Sequence, residues 1–149
     1  MAFIKPIFYF LLAGGCVTLA AYLLQERLIF YPQKGISAPD HARYAAQEIR
    51  LKRPSDHQDV SLHGWLLQPQ KRKPKKPASL LIYYGGNAEE VSLNLRELQR
   101  LPVDALLLMN YRGYGLSDGR PGETDLVADA LWVLDTISAR LGVAPQQVV

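Results

Sequence analysis

Apolar residues crowd the start of the chain and then recur in short, spaced runs. Residues 7–24, IFYFLLAGGCVTLAAYLL, carry no charge. As a helix this stretch would span about 27 Å, just short of the ~30 Å hydrocarbon core of a bilayer. Past Glu26 and Arg27 the sequence LIFYP (28–32) stays apolar until Pro32 and Gly35 punctuate it, a juxtamembrane segment leading into a separate domain. Residues 47–52 and 60–67 read as short strands, the second alternating around Gly64. The turn formers PSDHQD between them predict an antiparallel pair. SLLIYY (79–84) and ALLLM (105–109) are brief apolar runs of the buried-strand type.

Each of these two runs is followed by helical spacing. Residues 89–101 place Val91, Leu95, Leu98 and Leu101 on one face, and residues 125–141 do the same with Leu126, Ala130, Leu134, Ile137 and Leu141. Thr124 is positioned to cap the second helix, Asp125 suits its positive end, and Gly142 and Pro145 close it. QQVV (146–149) begins one more strand. Strand–helix–strand–helix–strand with short links is the signature of an α/β fold with a parallel sheet, here with an antiparallel hairpin in front.

Three readings compete for the amino terminus. A single transmembrane helix over about 7–24 is preferred, with Tyr9 and Tyr22 near its two ends where amphipathic rings favour the interface. A cleaved signal peptide needs a shorter apolar region with small residues before the cut, which Ala20 and Ala21 supply. A lipoprotein signal cut before Cys16 fits worst, because Ala13 stands where leucine is usual and the residues after Cys16 stay apolar. The preferred reading divides the chain into an anchor (1–27) and a domain (28–149) and makes it a single-pass membrane protein. Lys5 on one side, with Arg27 and Lys34 on the other, are too few charges to set the orientation.

Composition changes little of this. A chain of 149 residues with 48% hydrophobic and 21% charged residues suits one ordinary globular domain. The net charge of +3 comes from one Pro-broken run holding Lys71, Arg72, Lys73, Lys75 and Lys76, which leaves 12 basic residues against 14 acidic ones. Such a run between two strands reads as a solvated loop, and nothing beside it supports nucleic-acid binding. The single cysteine rules out an internal disulfide.

Four stretches carry a resemblance: LIFYPQ after the apolar run, LHGWLL on the second strand, YYGGNAEEVS after the third, and NYRGYGLSDGRPGE after the fourth. With ALWVLDTISARLGVAPQQVV following, they resemble the α/β-hydrolase superfamily, in particular a branch of serine hydrolases with an amino-terminal membrane anchor. The resemblance implies the amino-terminal half of such a sheet, with hydrolysis of an ester, thioester or amide as the reaction of the full-length form. It also implies that the turn after the third strand supplies a backbone N–H to the oxyanion hole, and by position that donor is Asn87. A structural reading of the same turn stands beside it: Asn87 caps the next helix and Glu90 completes an Asn-x-x-Glu box. Many members have His-Gly where this chain has Gly85-Gly86, so a side chain that helps fix the loop is missing.

GLSDG (115–119) matches the G-x-S-x-G nucleophile elbow in letters only. An elbow serine stands between a strand and a helix, whose dipole favours the developing charge. Before Ser117, NYRGYG intervenes after the strand; after it, Gly119, Pro121 and Gly122 delay the next helix. Ser117 is therefore expected to be a structural loop residue. Ser37, Ser55, Ser61, Ser79, Ser92 and Ser138 lack the elbow context as well. His41, His57 and His63 read as surface residues, and the acidic group Asp118, Glu123, Asp125 and Asp129 reads as helix amino-terminal stabilisation. No helical zinc pair and no Walker-type loop calls for a metal or cofactor.

The family order of serine, acid and histidine lies at or beyond the fifth strand, and the sequence stops inside that expected strand. Nucleophile, acid and base are thus expected to be absent from these residues, and the chain inactive as given. The partners expected are membrane lipid through the helix and a second half or other partner at the open sheet edge, with no nucleic acid. A non-catalytic interaction protein using that edge, or a truncated product without function, are the alternatives.

Overall fold

A computed structural model describes residues 4–36, 41–54, 59–68 and 79–149. The basic run, Ser37, Ser55 and His57 lie outside the described residues, as does the side chain of His41. The chain separates into two compact units, Met1–Tyr31 and Pro32–Val149. The first is helix α1, Ile4–Ile29. It is longer than the 18-residue apolar run and absorbs Leu28 and Ile29, which the sequence assigns to a juxtamembrane link. Its stretch Lys5–Ile29 is long and apolar enough to cross a membrane, a test that a signal sequence also passes. Inside it the Thr18 hydroxyl donates back to the Gly14 carbonyl at 2.9 Å, so the helix satisfies this polar group itself.

In the second unit a 3-10 turn, His41–Tyr44, leads into β1, Gln47–Arg53, and β2, Val60–Leu67. β3 is Leu80–Tyr84 and β4 is Ala105–Met109. The sheet order is β1-β2-β4-β3; β1–β2 and β2–β4 are antiparallel and β3–β4 is parallel. The hairpin expected from the sequence is present, and both apolar runs are strands.

Alternation along the strands divides the core into two layers. Leu62 and Leu66 of β2, Leu80 of β3, and Ala105, Leu107 and Met109 of β4 pack with Val133 and Ile137 of helix α3, Glu123–Leu141. On the opposite face Trp65, Leu67, Leu106 and Leu108 pack with Val91 and Leu95. β4 is buried along its whole length, as a central strand covered on both faces must be. Gly64 is required where β2 crosses opposite Met109: a Cβ there would run into the Leu108 carbonyl and the Met109 sulfur.

Two helix expectations and one strand start need correction. The helix placed at 89–101 is a 3-10 turn, Val91–Asn94, running into the short α2, Leu95–Leu98. The amino-terminal cap of α3 is Gly122, in extended conformation and with no side-chain cap, so Thr124 lies inside the helix. At the far end Gly142 takes the left-handed conformation (φ 66°), and Pro145–Gln147 then form a 3-10 turn in place of the start of a strand. Strand pairing begins only afterwards. Val148 bridges Leu80 in parallel, the Val149 N–H donates to the Leu80 carbonyl at 2.9 Å, and the Ile82 N–H donates to the Val149 carbonyl at 3.0 Å.

Candidate functional site

β3 and β4 are parallel, so the loops leaving their carboxyl ends meet at one edge of the sheet, where open α/β sheets bind ligands. The loop after β3 is Gly85-Gly86-Asn87-Ala88; the loop after β4 runs from Asn110 to Gly122. Ala88 adopts a left-handed backbone (φ 61°), a conformation costing a residue with a Cβ about 1–2 kcal/mol. Such strain persists only where neighbouring contacts hold it.

Those contacts are identifiable. The Tyr114 hydroxyl donates to Asn87 Oδ1 at 2.9 Å, and the same oxygen lies 3.1 Å from the Ala88 N–H. Glu89 Oε2 accepts from the Gly86 N–H at 3.0 Å, while Glu89 Oε1 accepts from the Tyr83 hydroxyl at 2.9 Å and from the Asn94 amide. Tyr111, in the loop after β4, stacks on Tyr84 at the end of β3 (centroids 5.0 Å, 17° between planes) and sits edge-on to Tyr114. Burial raises the pKa of Tyr84 and of Tyr111, keeping both phenols neutral.

The helical turn starts later than the expected Asn87–Glu90 box, with Glu90 and not Asn87 as its amino-terminal cap. Glu90 itself caps the 3-10 turn, accepting from the Ser92 N–H at 3.2 Å and from the Ser92 hydroxyl. Its carboxylate is fully buried and also accepts from Asn110 Nδ2 at 3.2 Å. Asn110 is the hub of this layer. Its Oδ1 accepts from the Val91 N–H (3.2 Å), its Nδ2 also donates to His63 Nδ1 (3.1 Å), and its backbone N–H donates to the His63 carbonyl (3.0 Å). Gly115 lies against the same amide with φ 52°, and a Cβ there would collide with Asn110 Oδ1 and Nδ2.

His63 departs from its expected place on the surface: it is fully buried. Because Nδ1 accepts from Asn110, the ring proton sits on Nε2, 3.3 Å from Glu48 Oε1 but without hydrogen-bond alignment. Desolvation lowers the His63 pKa, and the Arg50 charge lowers it further; the Glu48 and Glu90 carboxylates act in the opposite sense. His63 is a neutral structural histidine.

Ser117 stands where the sequence places it, in the loop and away from any strand-to-helix elbow. Its hydroxyl is buried, donating to the Asn110 carbonyl at 3.0 Å and accepting from the His63 N–H at 2.9 Å. Both its donor and an acceptor site are committed to backbone groups.

A second network fixes the same loop from the other side. Arg112, buried, makes a bidentate pair with Asp129 of α3 (Nε–Oδ2 and Nη2–Oδ1, both 2.6 Å) and a third contact to Asp125 at 2.8 Å. Arg53 of β1 reaches Asp129 as well, at 2.7 Å. The Asp129 hydrogen bond is the largest influence raising the Arg112 pKa. Asp125 and Asp129 therefore clamp the loop, a role the helix-terminus reading of the acidic group missed. An arginine followed at helical spacing by Asp125 and Asp129 was the available signal.

Comparisons with known proteins agree with this architecture. No protein-family model matches the chain. It is 26% identical over 151 residues to the uncharacterized protein YfhR of Salmonella typhimurium, covering 98% of this chain and 49% of that protein. The Arabidopsis thaliana alpha/beta hydrolase domain-containing protein WAV2 is 26% identical over 162 residues, covering 100% of this chain and 50% of its own length. An uncharacterized Mycobacterium tuberculosis protein is 30% identical over 142 residues, with 93% of this chain and 48% of that one covered. Among solved structures, an alpha-beta hydrolase from Vibrio vulnificus superposes with a TM-score of 0.51 at 21% identity, over 73% of this chain and 36% of that one. The chain has an α/β-hydrolase-like fold, and these likenesses support the α/β-hydrolase superfamily. It spans about half the length of the curated relatives it matches.

Proposed function

We propose that the chain is the amino-terminal portion of a membrane-anchored serine hydrolase, acting on an ester, thioester or amide through an acyl-enzyme. The observation that carries this is the bracing of the turn after β3 at the carboxyl edge of the sheet: a Gly85–Ala88 turn, strained at Ala88, held by Tyr114 and Glu89, with the Asn110 hub fixing Val91 just beyond it. In this reading the Asn87 backbone N–H donates to the oxyanion as the tetrahedral intermediate forms. The nucleophile, acid and base come from the part of the protein corresponding to the other half of its relatives. The half-length match supports that division. The helix Lys5–Ile29, by length and composition, supports a single-pass anchor over residues 1–27 and the domain over 28–149.

Two substitutions in the longest natural product containing this chain test the oxyanion role. Asn87→Pro removes the N–H and is expected to lower kcat by about 10²–10³-fold with little change in KM. Asn87→Asp keeps both the N–H and a side-chain acceptor for Tyr114, and is expected to retain most of the activity. Equal loss in both variants would assign the turn a packing role only.

A second reading keeps the same division but has the other half encoded as a separate chain, in line with the half-length match. Recovery of activity on co-expression with such a half, and none with this chain alone, favours that reading over a single polypeptide.

A further inference from the structure

The geometry points to a second site, remote in kind from any hydrolase chemistry: a cleft that binds a phosphate-bearing anion between the 3-10 turn His41–Tyr44 and helix α2. The cleft has a volume of about 450 Å³ and is lined by Arg43, Tyr44, Arg96, Gln99 and Arg100.

Among the described residues its charge is unbalanced. Backbone hydrogen bonds from the Gln99 N–H to the Leu95 carbonyl and from the Arg100 N–H to the Glu97 carbonyl, both 3.2 Å, continue the α2 turn beyond Leu98. Arg96 and Arg100 thus stand one helical turn apart. Glu97 is the carboxylate they share, 3.2 Å from Arg100 and 3.9 Å from Arg96. Among the described residues Arg43 makes no ion pair. Among the described residues, three arginines therefore line the cleft with one carboxylate beside them.

Isolated surface arginines need no ligand to explain them, since water solvates them well. Here three of them line one cleft, which an isolated surface arginine does not. Tyr44 is half-buried, packed against the core layer that holds Leu95 and Trp65, so one wall is rigid. Immediately after it Ala45 takes a left-handed backbone (φ 53°), which ends the 3-10 turn and sends the chain into β1. The turn that carries Arg43 lies against α2. Guanidinium forks match the oxygens of phosphate bidentately, and a doubly charged phosphate offsets the excess positive charge better than a carboxylate does. A volume of about 450 Å³ falls within the usual range for small-molecule sites and exceeds what a bare phosphate fills. The ligand class is a phosphate monoester, from a soluble metabolite or from a lipid headgroup.

The test uses the full chain in nanodiscs of phosphatidylcholine, titrated calorimetrically with inorganic phosphate and, separately, with dihexanoyl phosphatidic acid below its micellar concentration. Saturable binding of both is expected. R43Q/R100Q should weaken it about 100-fold, at roughly tenfold for each charge-assisted hydrogen bond removed. R43K/R100K, which keeps the charge and removes the forks, should fall between the two. Equal affinities for the two probes assign a soluble phosphate ester; phosphatidic acid binding at least about tenfold tighter assigns a headgroup. Absence of saturable binding by the unaltered chain up to about 10 mM of either probe would overturn the proposal. So would an affinity unchanged in R43Q/R100Q.

Discussion

The Tyr114 hydroxyl donates a hydrogen bond to the Asn87 side chain at 2.9 Å, joining the loop after β4 to the turn after β3. Tyr114 is itself buried and set edge-on to Tyr111, so the donor is fixed before it meets Asn87. Replacing it with phenylalanine preserves the ring packing and removes this bond. Tyr114→Phe should cost about 1 kcal/mol of stability and should speed amide hydrogen exchange at Gly86, Asn87 and Ala88 more than elsewhere. Exchange unchanged at those three amides would show that the turn is held without Tyr114.

Asp129 accepts from Arg112 through both oxygens and from Arg53 through one of them, in a buried setting. Asp129→Ala leaves the Arg112 charge without its main partner in low dielectric. The expected loss is about 3–5 kcal/mol, a large share of the total stability of a domain this size. Urea unfolding measures it; a loss under about 1 kcal/mol would mean that solvent reaches the pair as it does at a surface.

Ser117 has a structural role that can be separated from chemistry. Ser117→Ala removes the acceptor of the His63 N–H and a donor to the Asn110 carbonyl. Stability should fall by about 1–3 kcal/mol. The full chain should resist fluorophosphonate labelling both before and after the substitution. Labelling of the unaltered chain that disappears in Ser117→Ala would make the serine a nucleophile.

His63 links stability to pH. Its pKa is lowered in the folded protein by burial, so below the ordinary histidine value of about 6.5 the unfolded chain binds a proton that the folded one does not. Stability should therefore fall as pH drops from about 6.5 toward the folded-state pKa, and this part of the slope should be absent in His63→Gln. An NMR titration of the His63 ring measures the pKa directly. A value above 6.5 would mean that Glu48 outweighs desolvation.

β3 and β4 are legible in the sequence because each is a short apolar run bounded by turn formers, and burial on both faces leaves little else for ALLLM to do. Helix ends were less legible. Thr124 is the better cap by residue type, yet α3 starts two residues earlier, with Gly122 as its cap. The site was least legible of all. His63 and Asn110 are 47 residues apart and Arg53 and Asp129 are 76 apart, and no local pattern announces such pairs. The NYRGYG motif was visible as letters, but its asparagine as a hub and its arginine as a clamp are products of the fold.

Most direct for the central claim is mass-spectrometric mapping of a fluorophosphonate adduct on the longest natural product containing this chain. A membrane-anchored serine hydrolase whose amino-terminal portion is residues 1–149 should carry the adduct on a serine outside those residues, with labelling retained in Ser117→Ala and weakened in Asn87→Pro. An adduct on Ser117 would contradict the account, as would a labelling rate indifferent to Asn87→Pro.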